Sequence, residues 1–269
     1  MNKKRYLGFA LGEHGDLVIQ TVAAKQFKRF NPDAHLTLAI GGKFHRIAPL
    51  FKNHKYFDDY IIFEGYDDFP TLNDRKIIEN GGLTRVFNPM PKHSRLDWYN
   101  HLHYTQEYTL IQGLGIPNDL QCELTRPIVE RDNKLVTIAA FPSMGKQPDK
   151  TLSKDKWQDL VSRLNSLGYK CVQLGGVYDI PIDGCIRPDL SFEQAAHLLA
   201  SSKVISTDTS WAWIASAYQQ PCVYLFGKNY PDLLYPANLF PLNPNGIYNY
   251  WPSLKDASVD DIIKSFLML

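Results

Sequence analysis

The segment from Thr207 to Ser210 places two hydroxyls, a carboxylate and a further hydroxyl between a buried apolar run and a helical pattern. In a strand–turn–helix arrangement, the first helical turn has free backbone N–H groups and the positive end of the helix dipole. Such a turn can bind an anion such as a phosphate. Alternatively, Asp208 or Thr209 caps the helix through its side chain. The segment alone leaves both interpretations open.

A second polar loop runs from Pro142 to Lys150 after the apolar run "LVTIAAF", and it contains Ser143, Lys146 and Lys150. A hydroxyl and two ammonium groups in one flexible loop could neutralise and hydrogen-bond a diphosphate. The loop lacks the glycine and lysine spacing of a Walker loop. Its lysines have the alternative interpretation of ordinary solvated surface charges.

The pair Gly175-Gly176 ends a third apolar run, "KCVQL". Paired glycines here either form a simple turn or let a ligand approach the backbone closely. Because ligands of parallel α/β sheets bind outside the carboxyl ends of the strands, we expect all three loops to lie at one edge of a sheet.

Asp16 follows the first apolar run of the chain, in the sequence "ALGEHGDL". Its carboxylate could act as a general base on a substrate hydroxyl, or it could cap the following helix. His14 is a competing candidate for the base. The pair His101 and His103 has no nearby cysteine or acidic ligand and makes a poor metal site, so no metal is predicted.

Apolar runs alternate with helical patterns along the chain, which predicts an α/β protein with mostly parallel strands. The predicted strands are "RYLGFAL", "HLTLAI", "YIIFE", "LVTIAAF" and "KCVQLGG", with two more at Val204–Ile205 and Val223–Phe226. Helical patterns are found in "LVIQTVAAKQFKRF", "DWYNHLHYTQEYTLIQGLGIP", "KDKWQDLVSRLNSLG", "SFEQAAHLLASS" and "SVDDIIKSFLML", and between the last two strands. Ser191 and Gln194 have the spacing of a capping box. The region from Tyr66 to Asn100 has turn-forming residues and little periodicity, which indicates a long loop region.

The 269 residues suffice for two domains, and a boundary is predicted near Arg131, giving domains 1–131 and 132–269. With 29 basic and 28 acidic residues, the charge is balanced, so neither a nucleic-acid partner nor a polybasic membrane anchor is expected. The four widely spaced cysteines indicate reduced core residues. No apolar segment is long enough for a membrane span or signal peptide, so a soluble cytoplasmic protein is predicted.

Three segments resemble glycosyltransferase family 9, the bacterial heptosyltransferases. "GEHGDLVIQTVA" is similar to the opening G-D-x-x-x-x-T-P-A pattern, with Val22 replacing proline. "PSMGKQPDKTLSKDKW" is similar to the phosphate loop, with Lys150 seven residues before Trp157. "STDTSWAW" is similar to the D-T-G-x-x-H segment, although Ser210 replaces the glycine and Trp213 the histidine.

The resemblance implies a GT-B fold, with two Rossmann-like domains around a cleft and a reduced first, acceptor-side domain. It further implies an inverting, metal-independent transfer of a sugar from a nucleotide diphosphate to a hydroxyl of a saccharide or glycolipid, in lipopolysaccharide or polysaccharide biosynthesis. Asp16 matches the family's base. The paired glycines Gly175 and Gly176 are assigned to the donor nucleotide. The residues assigned to the donor diphosphate are Ser143, Lys146, Lys150, Asp208, Thr209 and Ser210.

Two alternatives stay open. One is a sugar-nucleotide epimerase or hydrolase on the same architecture. The other is a catalytically inactive module that binds nucleotide sugar or glycan, because the indole of Trp213 cannot take a proton where the family has histidine. No cofactor beyond the donor is expected, any membrane association would be peripheral, and the oligomeric state is left undetermined.

Overall fold

A computed structural model describes residues 4–9, 14–64, 72–85, 104–111, 113–141, 150–176, 179–227 and 241–269. The chain divides into two compact units, Met1–Thr125 and Arg126–Leu269. Both contain a parallel sheet with helices in the connections, so the predicted α/β class is confirmed.

The first unit contains β1 (Arg5–Phe9), α1 (His14–Phe30), β2 (His35–Gly41), a 3₁₀ helix (Gly42–Phe51), β3 (Asp59–Phe63), α2 (Leu72–Asn80), β4 (Thr84–Arg85) and α3 (Tyr104–Ile111). Its parallel sheet has the order β3-β2-β1-β4. α1 buries an unbroken run from Leu17 to Ala24, so this part of the helix is covered on all sides and not only on the face toward the sheet.

The region predicted to be a long loop contains α2 and the short β4, so that prediction was wrong for this part of it. The carboxylate of Asp74 is buried in the first turn of α2 and accepts a hydrogen bond from the Glu64 backbone N–H at 2.9 Å. Gly82 follows the helix with a φ of +57°, which ends it. The apolar pattern is weak because Ile77 and Ile78 are adjacent and only one face can be buried.

The second unit contains β5 (Leu135–Ala139), α4 (Lys154–Ser166), β6 (Lys170–Leu174), α5 (Phe192–Ala200), β7 (Lys203–Ser206), α6 (Ser210–Ala217), β8 (Cys222–Phe226), β9 (Gly246–Tyr250), a 3₁₀ helix (Leu254–Asp256) and α7 (Val259–Leu267). The parallel sheet has the order β6-β5-β7-β8-β9. The predicted capping box at Ser191 and Gln194 is present. Strand β9 was not predicted, since its tyrosines and asparagine are only partly buried at the sheet edge.

The core of the second unit lies between the sheet and the apolar face of α4. Trp157, Leu160, Val161 and Leu164 on that face are fully buried against β5 and α7 residues. Strands β6, β5 and β7 are neighbours in this order, so the polar segments that follow them in the sequence leave the sheet side by side at its carboxyl edge.

Candidate functional site

The turn after β7 is attached to the end of the neighbouring strand β5. The Thr207 backbone N–H donates to the Ala139 carbonyl at 3.1 Å, and the Thr207 hydroxyl donates to the Ala140 carbonyl at 3.2 Å. Thr207 is fully buried. These bonds continue the ladder beyond the strands, and they hold the Thr207–Ser210 turn next to the point where the 142–150 loop leaves β5.

Lys150 and Asp208 form an ion pair across these two loops. The Lys150 Nζ lies 2.9 Å from the Asp208 Oδ2, and the exposed fractions of the two side chains are 15% and 26%. A lysine and an aspartate separated by 58 positions in the chain therefore meet at the carboxyl edge between two adjacent strands. The pair is only partly screened by water, which makes the interaction stronger than that of an exposed pair.

The adjoining residue Thr151 fixes the base of the 142–150 loop. Its hydroxyl donates to the Ala140 carbonyl at 2.6 Å and accepts a hydrogen bond from the indole N–H of Trp157 at 2.9 Å. Trp157 is fully buried in the core. The backbone at Lys150 is thus connected to the core by a buried hydrogen bond, and sequence reasoning did not single out Thr151. A threonine six residues before a core tryptophan was the available signal.

The first turn of α6 opens at the same edge. Thr209 occupies the N-cap position, but its side chain makes no capping hydrogen bond. The Thr209 hydroxyl instead lies 3.1 Å from the Ser206 hydroxyl. The alternative in which Thr209 caps α6 by its side chain was therefore wrong, and capping by Asp208 stays a prediction. The first turn of α6 begins at the carboxyl edge of the sheet, where Lys150 and Asp208 form their ion pair. Its free backbone N–H groups and the positive end of the helix dipole are therefore at that edge.

Gly175 and Gly176, after β6, form a turn closed by the chain itself. The Gly176 N–H donates to the Asp179 carboxylate at 2.8 Å, and Arg187 donates to the Gly176 carbonyl at 3.0 Å. A Cβ on Gly175 would lie 1.9 Å from the Asp179 Oδ2, so a side chain cannot be accommodated there. Burial raises the pKa of Asp179, against the opposing effects of the Gly176 N–H and Arg187.

Asp16 lies inside α1, in its first turn, rather than at the residue before the helix. A carboxylate there interacts favourably with the helix dipole, which stabilises its ionised form. The neighbouring His14 is the first residue of α1, and its ring packs edge-on against Phe44 with centroids 5.3 Å apart.

Comparison with known proteins gives structural matches only. No family model matches the chain, and no curated protein matches it. A family 9 glycosyltransferase from Veillonella parvula superposes with a TM-score of 0.74 at 15% identity, over 99% of this chain and 98% of that one. ADP-heptose lps heptosyltransferase II from E. coli superposes with a TM-score of 0.73 at 15% identity, over 98% of both chains.

The chain has the fold of the family 9 glycosyltransferases. The predicted GT-B fold class is thereby confirmed, and the resemblance proposed from three short segments is confirmed at the level of the fold. The assignment of domains 1–131 and 132–269 to acceptor and donor stays a prediction, as does the reduced size of the first domain.

A further match concerns metals. The iron-containing dodecameric glycosyltransferase TibC from enterotoxigenic E. coli superposes with a TM-score of 0.58 at 17% identity, over 93% of this chain and 64% of that one. In the described part of this family 9 fold, no three His, Cys, Asp or Glu side chains are grouped as metal ligands would be. Metal-independent chemistry stays a prediction.

Four of the residues named from the sequence lie outside the described residues: Ser143, Lys146, His101 and His103. Trp213 is buried in α6, with 5% of its surface exposed.

The four cysteines are free thiols, three of them buried, and burial raises the pKa of Cys122 to about 12. None of the described helices is both long enough and apolar enough to cross a membrane.

Proposed function

We propose that this protein is a glycosyltransferase that transfers a sugar from a nucleotide diphosphate donor to a hydroxyl of a saccharide or glycolipid acceptor. The observation that supports this most directly is the Lys150–Asp208 contact beside the first turn of α6. A cation and a helix N-terminus converge there, at the strand edge where α/β sheets bind nucleotides. The fold shared with family 9 glycosyltransferases supports the same proposal.

In the proposed donor complex, the diphosphate takes the place of the Asp208 carboxylate as the main partner of Lys150. An ammonium group that is already partly desolvated and held by neighbouring structure loses little further hydration when it binds a phosphate. Asp208 then turns to a donor hydroxyl or to the loop, because a carboxylate in contact with a phosphate would repel it. The backbone N–H groups at Thr209 and Ser210 hydrogen-bond the phosphate oxygens.

The proposed reaction uses Asp16 as general base. Its carboxylate removes the proton of the acceptor hydroxyl while the hydroxyl oxygen attacks the anomeric carbon of the donor. The bond between that carbon and the phosphate oxygen breaks, and its electron pair stays on the departing nucleotide diphosphate. Lys150 and the α6 N-terminus stabilise the negative charge that develops there. Attack opposite the leaving group inverts the configuration of the anomeric carbon.

ADP is the proposed first candidate for the nucleotide, since the E. coli match is described as an ADP-heptose enzyme. The sugar is proposed only as a hexose or heptose, because Ser210 and Trp213 replace the glycine and histidine of the family's segment. A serine side chain at the first position of α6 takes space that a glycine would leave to the donor. The buried indole of Trp213 has no proton to exchange with a substrate at neutral pH.

A thermal-shift screen with ADP, GDP, UDP and CMP tests the donor site, because a ligand that binds the native state raises its unfolding temperature. We expect one nucleoside diphosphate to shift the midpoint and CMP to leave it unchanged. Product analysis with nucleotide sugars, with and without acceptor, tests the reaction. Turnover without any acceptor would favour the epimerase or hydrolase, and binding without turnover would favour the inactive module.

A further inference from the structure

The opposite, amino-terminal edge of the second sheet has a row of lysines. In the sheet order β6-β5-β7, the chain enters these three adjacent strands at Lys170, Lys134 and Lys203. The Lys170 backbone N–H donates to the Lys134 carbonyl at 2.7 Å, and Val136 in β5 is in register with Lys203. Lys134 and Lys203 fall on the face of the sheet that carries Val136, whereas Lys170 pairs with Leu135 and falls on the other face, so the three lysines follow one edge of the sheet.

Aromatic rings lie beneath two of these lysines, Lys134 and Lys203, at cation–π distance. The Lys134 Nζ lies 4.7 Å from the centroid of the Tyr169 ring, and the Lys203 Nζ lies 5.8 Å from the same centroid. The Lys203 Nζ is also 5.2 Å from the Phe266 ring, which packs edge-on against Tyr169. Contacts of this kind orient a cation without neutralising its charge.

Two arginines extend the positive surface. Arg131 donates to the Gln220 side chain, and Arg126 donates to the Ala200 carbonyl, both at 3.1 Å. Burial and the charges of Arg131 and Lys134 lower the pKa of Lys203, and burial and the charge of Arg126 lower the pKa of Arg131. These directions are those expected for cations surrounded by cations.

Acidic residues near this row do not form ion pairs with it. Across the described residues, salt bridges involve other cations: Lys25, Lys28, Lys55, Lys150, Arg163 and Lys264. The neighbouring Asp132 carboxylate accepts a hydrogen bond from the Lys134 backbone N–H, and Glu130 is exposed. With a formal charge of only +1 for the whole chain, this excess of positive charge is local.

Exposed apolar side chains border the cations. Leu167, Leu267 and Met268 have exposed fractions of 46%, 54% and 78%. Leu167 ends α4 next to Gly168, where an added Cβ would lie 4.0 Å from the Lys134 Nζ. Leu267 and Met268 directly follow Phe266, the ring beneath Lys203. We call this surface the amino-edge patch, and it comprises Arg126, Arg131, Lys134, Lys170, Lys203, Leu167, Leu267 and Met268.

We propose that the amino-edge patch is a docking surface for an anionic phospholipid bilayer. Lysines and arginines near an anionic membrane are attracted by its negative surface potential, and exposed leucine and methionine side chains can enter the boundary between headgroups and acyl chains. A nucleic acid would match the cations but not the apolar side chains. Docking here leaves the carboxyl edge of the same sheet, where the donor site is proposed, away from the membrane surface.

The test is co-sedimentation with vesicles of phosphatidylcholine, with and without phosphatidylglycerol, in the absence of nucleotide. We expect binding only to the anionic vesicles, weakening as the salt concentration rises. The triple variant Lys134→Gln, Lys170→Gln, Lys203→Met should bind them roughly 100-fold more weakly, because each cation near an anionic surface contributes about fivefold. Met268→Ser should weaken binding at high salt, where the apolar contribution dominates.

The matched control is Lys52→Gln, Lys154→Gln, Lys255→Gln, which removes the same charge from exposed positions outside the patch. It should bind nearly as tightly as the unmodified protein. Equal binding of the unmodified protein to neutral and anionic vesicles would overturn the proposal, and so would an equal loss in both triple variants. Binding of short duplex DNA but not of vesicles would also overturn it. The vesicle comparison uses the unmodified protein and no nucleotide, so its outcome is independent of the proposed activity.

Discussion

The two units place an aspartate at the same topological position but give it different surroundings. Asp16 and Asp208 each follow a strand and lie at the start of the next helix. Asp16 is inside the first turn of its helix, whereas Asp208 precedes its helix and forms an ion pair with Lys150. We propose the role of general base for Asp16 in the first unit and anion binding for the Lys150–Asp208 edge of the second.

Asp16→Asn tests the first half of this comparison and should have the largest effect. Removal of a general base typically lowers the rate by about 100- to 10,000-fold, so turnover should fall by that range. Nucleotide diphosphate affinity should stay within about twofold by calorimetry, because the substitution removes no phosphate contact. If the variant turned over at the rate of the unmodified protein, Asp16 would not be the base.

Lys150→Met tests the second half. A hydrogen bond to a charged group contributes about 1.5 to 3 kcal/mol, so the nucleotide diphosphate should bind roughly 10- to 150-fold more weakly. The methionine keeps most of the apolar volume of the side chain but takes the ion pair from Asp208, so the free energy of unfolding should fall by an amount similar to that of the control below. Isothermal calorimetry with ADP, or with the diphosphate found in the thermal-shift screen, gives the measurement.

Lys25→Met is the matched control for this change. Lys25 in α1 is as exposed as Lys150, at 14%, and its Nζ lies 2.9 Å from Asp119 and 2.5 Å from Glu123. Its removal takes the nearest cation from both carboxylates, although Glu123 keeps Lys55 at 3.6 Å, and should lower the free energy of unfolding by about 2 kcal/mol, with nucleotide affinity unchanged. Equal losses of nucleotide affinity in the two variants would show that Lys150 acts through stability and not through the phosphate.

Asp208→Asn should have a smaller effect, with the opposite sign. The amide keeps the shape of the side chain but removes a negative charge near the proposed phosphate position. We expect the diphosphate to bind about threefold more tightly, as for one partly screened charge interaction. Tenfold weaker binding in the same calorimetric assay would mean that Asp208 mainly orients Lys150.

The first unit should also respond to mild acid. His54 is buried, its Nε2 lies 2.8 Å from the Glu123 carbonyl, and its Nδ1 accepts from the Tyr56 backbone N–H at 3.2 Å. Burial lowers the pKa of His54 from 6.5, so the folded unit favours the neutral ring. Below about pH 6.5 the unfolded chain binds more protons than the folded one, and the free energy of unfolding should therefore fall.

Urea unfolding at pH values on both sides of 6.5 measures this decline. His54→Gln keeps a donor for the Glu123 carbonyl and cannot titrate, so its decline over the same interval should be smaller. The exposed His197 of the second unit provides the comparison variant, His197→Gln, which should retain the full decline. Identical curves for all three proteins would exclude His54 as the source.

How far the sequence predicts the fold depends on how strongly each element is patterned. Strands β5 and β8 are buried along their whole length and mostly apolar, and α4 has one continuous apolar face, so both kinds of element were predicted correctly. α2 and β9 were missed because half-exposed elements at a sheet edge bury few side chains and leave little periodicity.

The candidate site shows the same division. The sequence by itself determined the chemical types at the strand ends: a lysine after β5, an aspartate and hydroxyls after β7, and an aspartate after β1. Only the tertiary structure decided that Lys150 and Asp208 are partners, that Thr209 turns to Ser206 instead of capping α6, and that lysines at the start of three neighbouring strands follow one edge of the sheet. The physical reason is that strand order sets which loops are neighbours, and hydrogen bonds between distant residues set which way each side chain points.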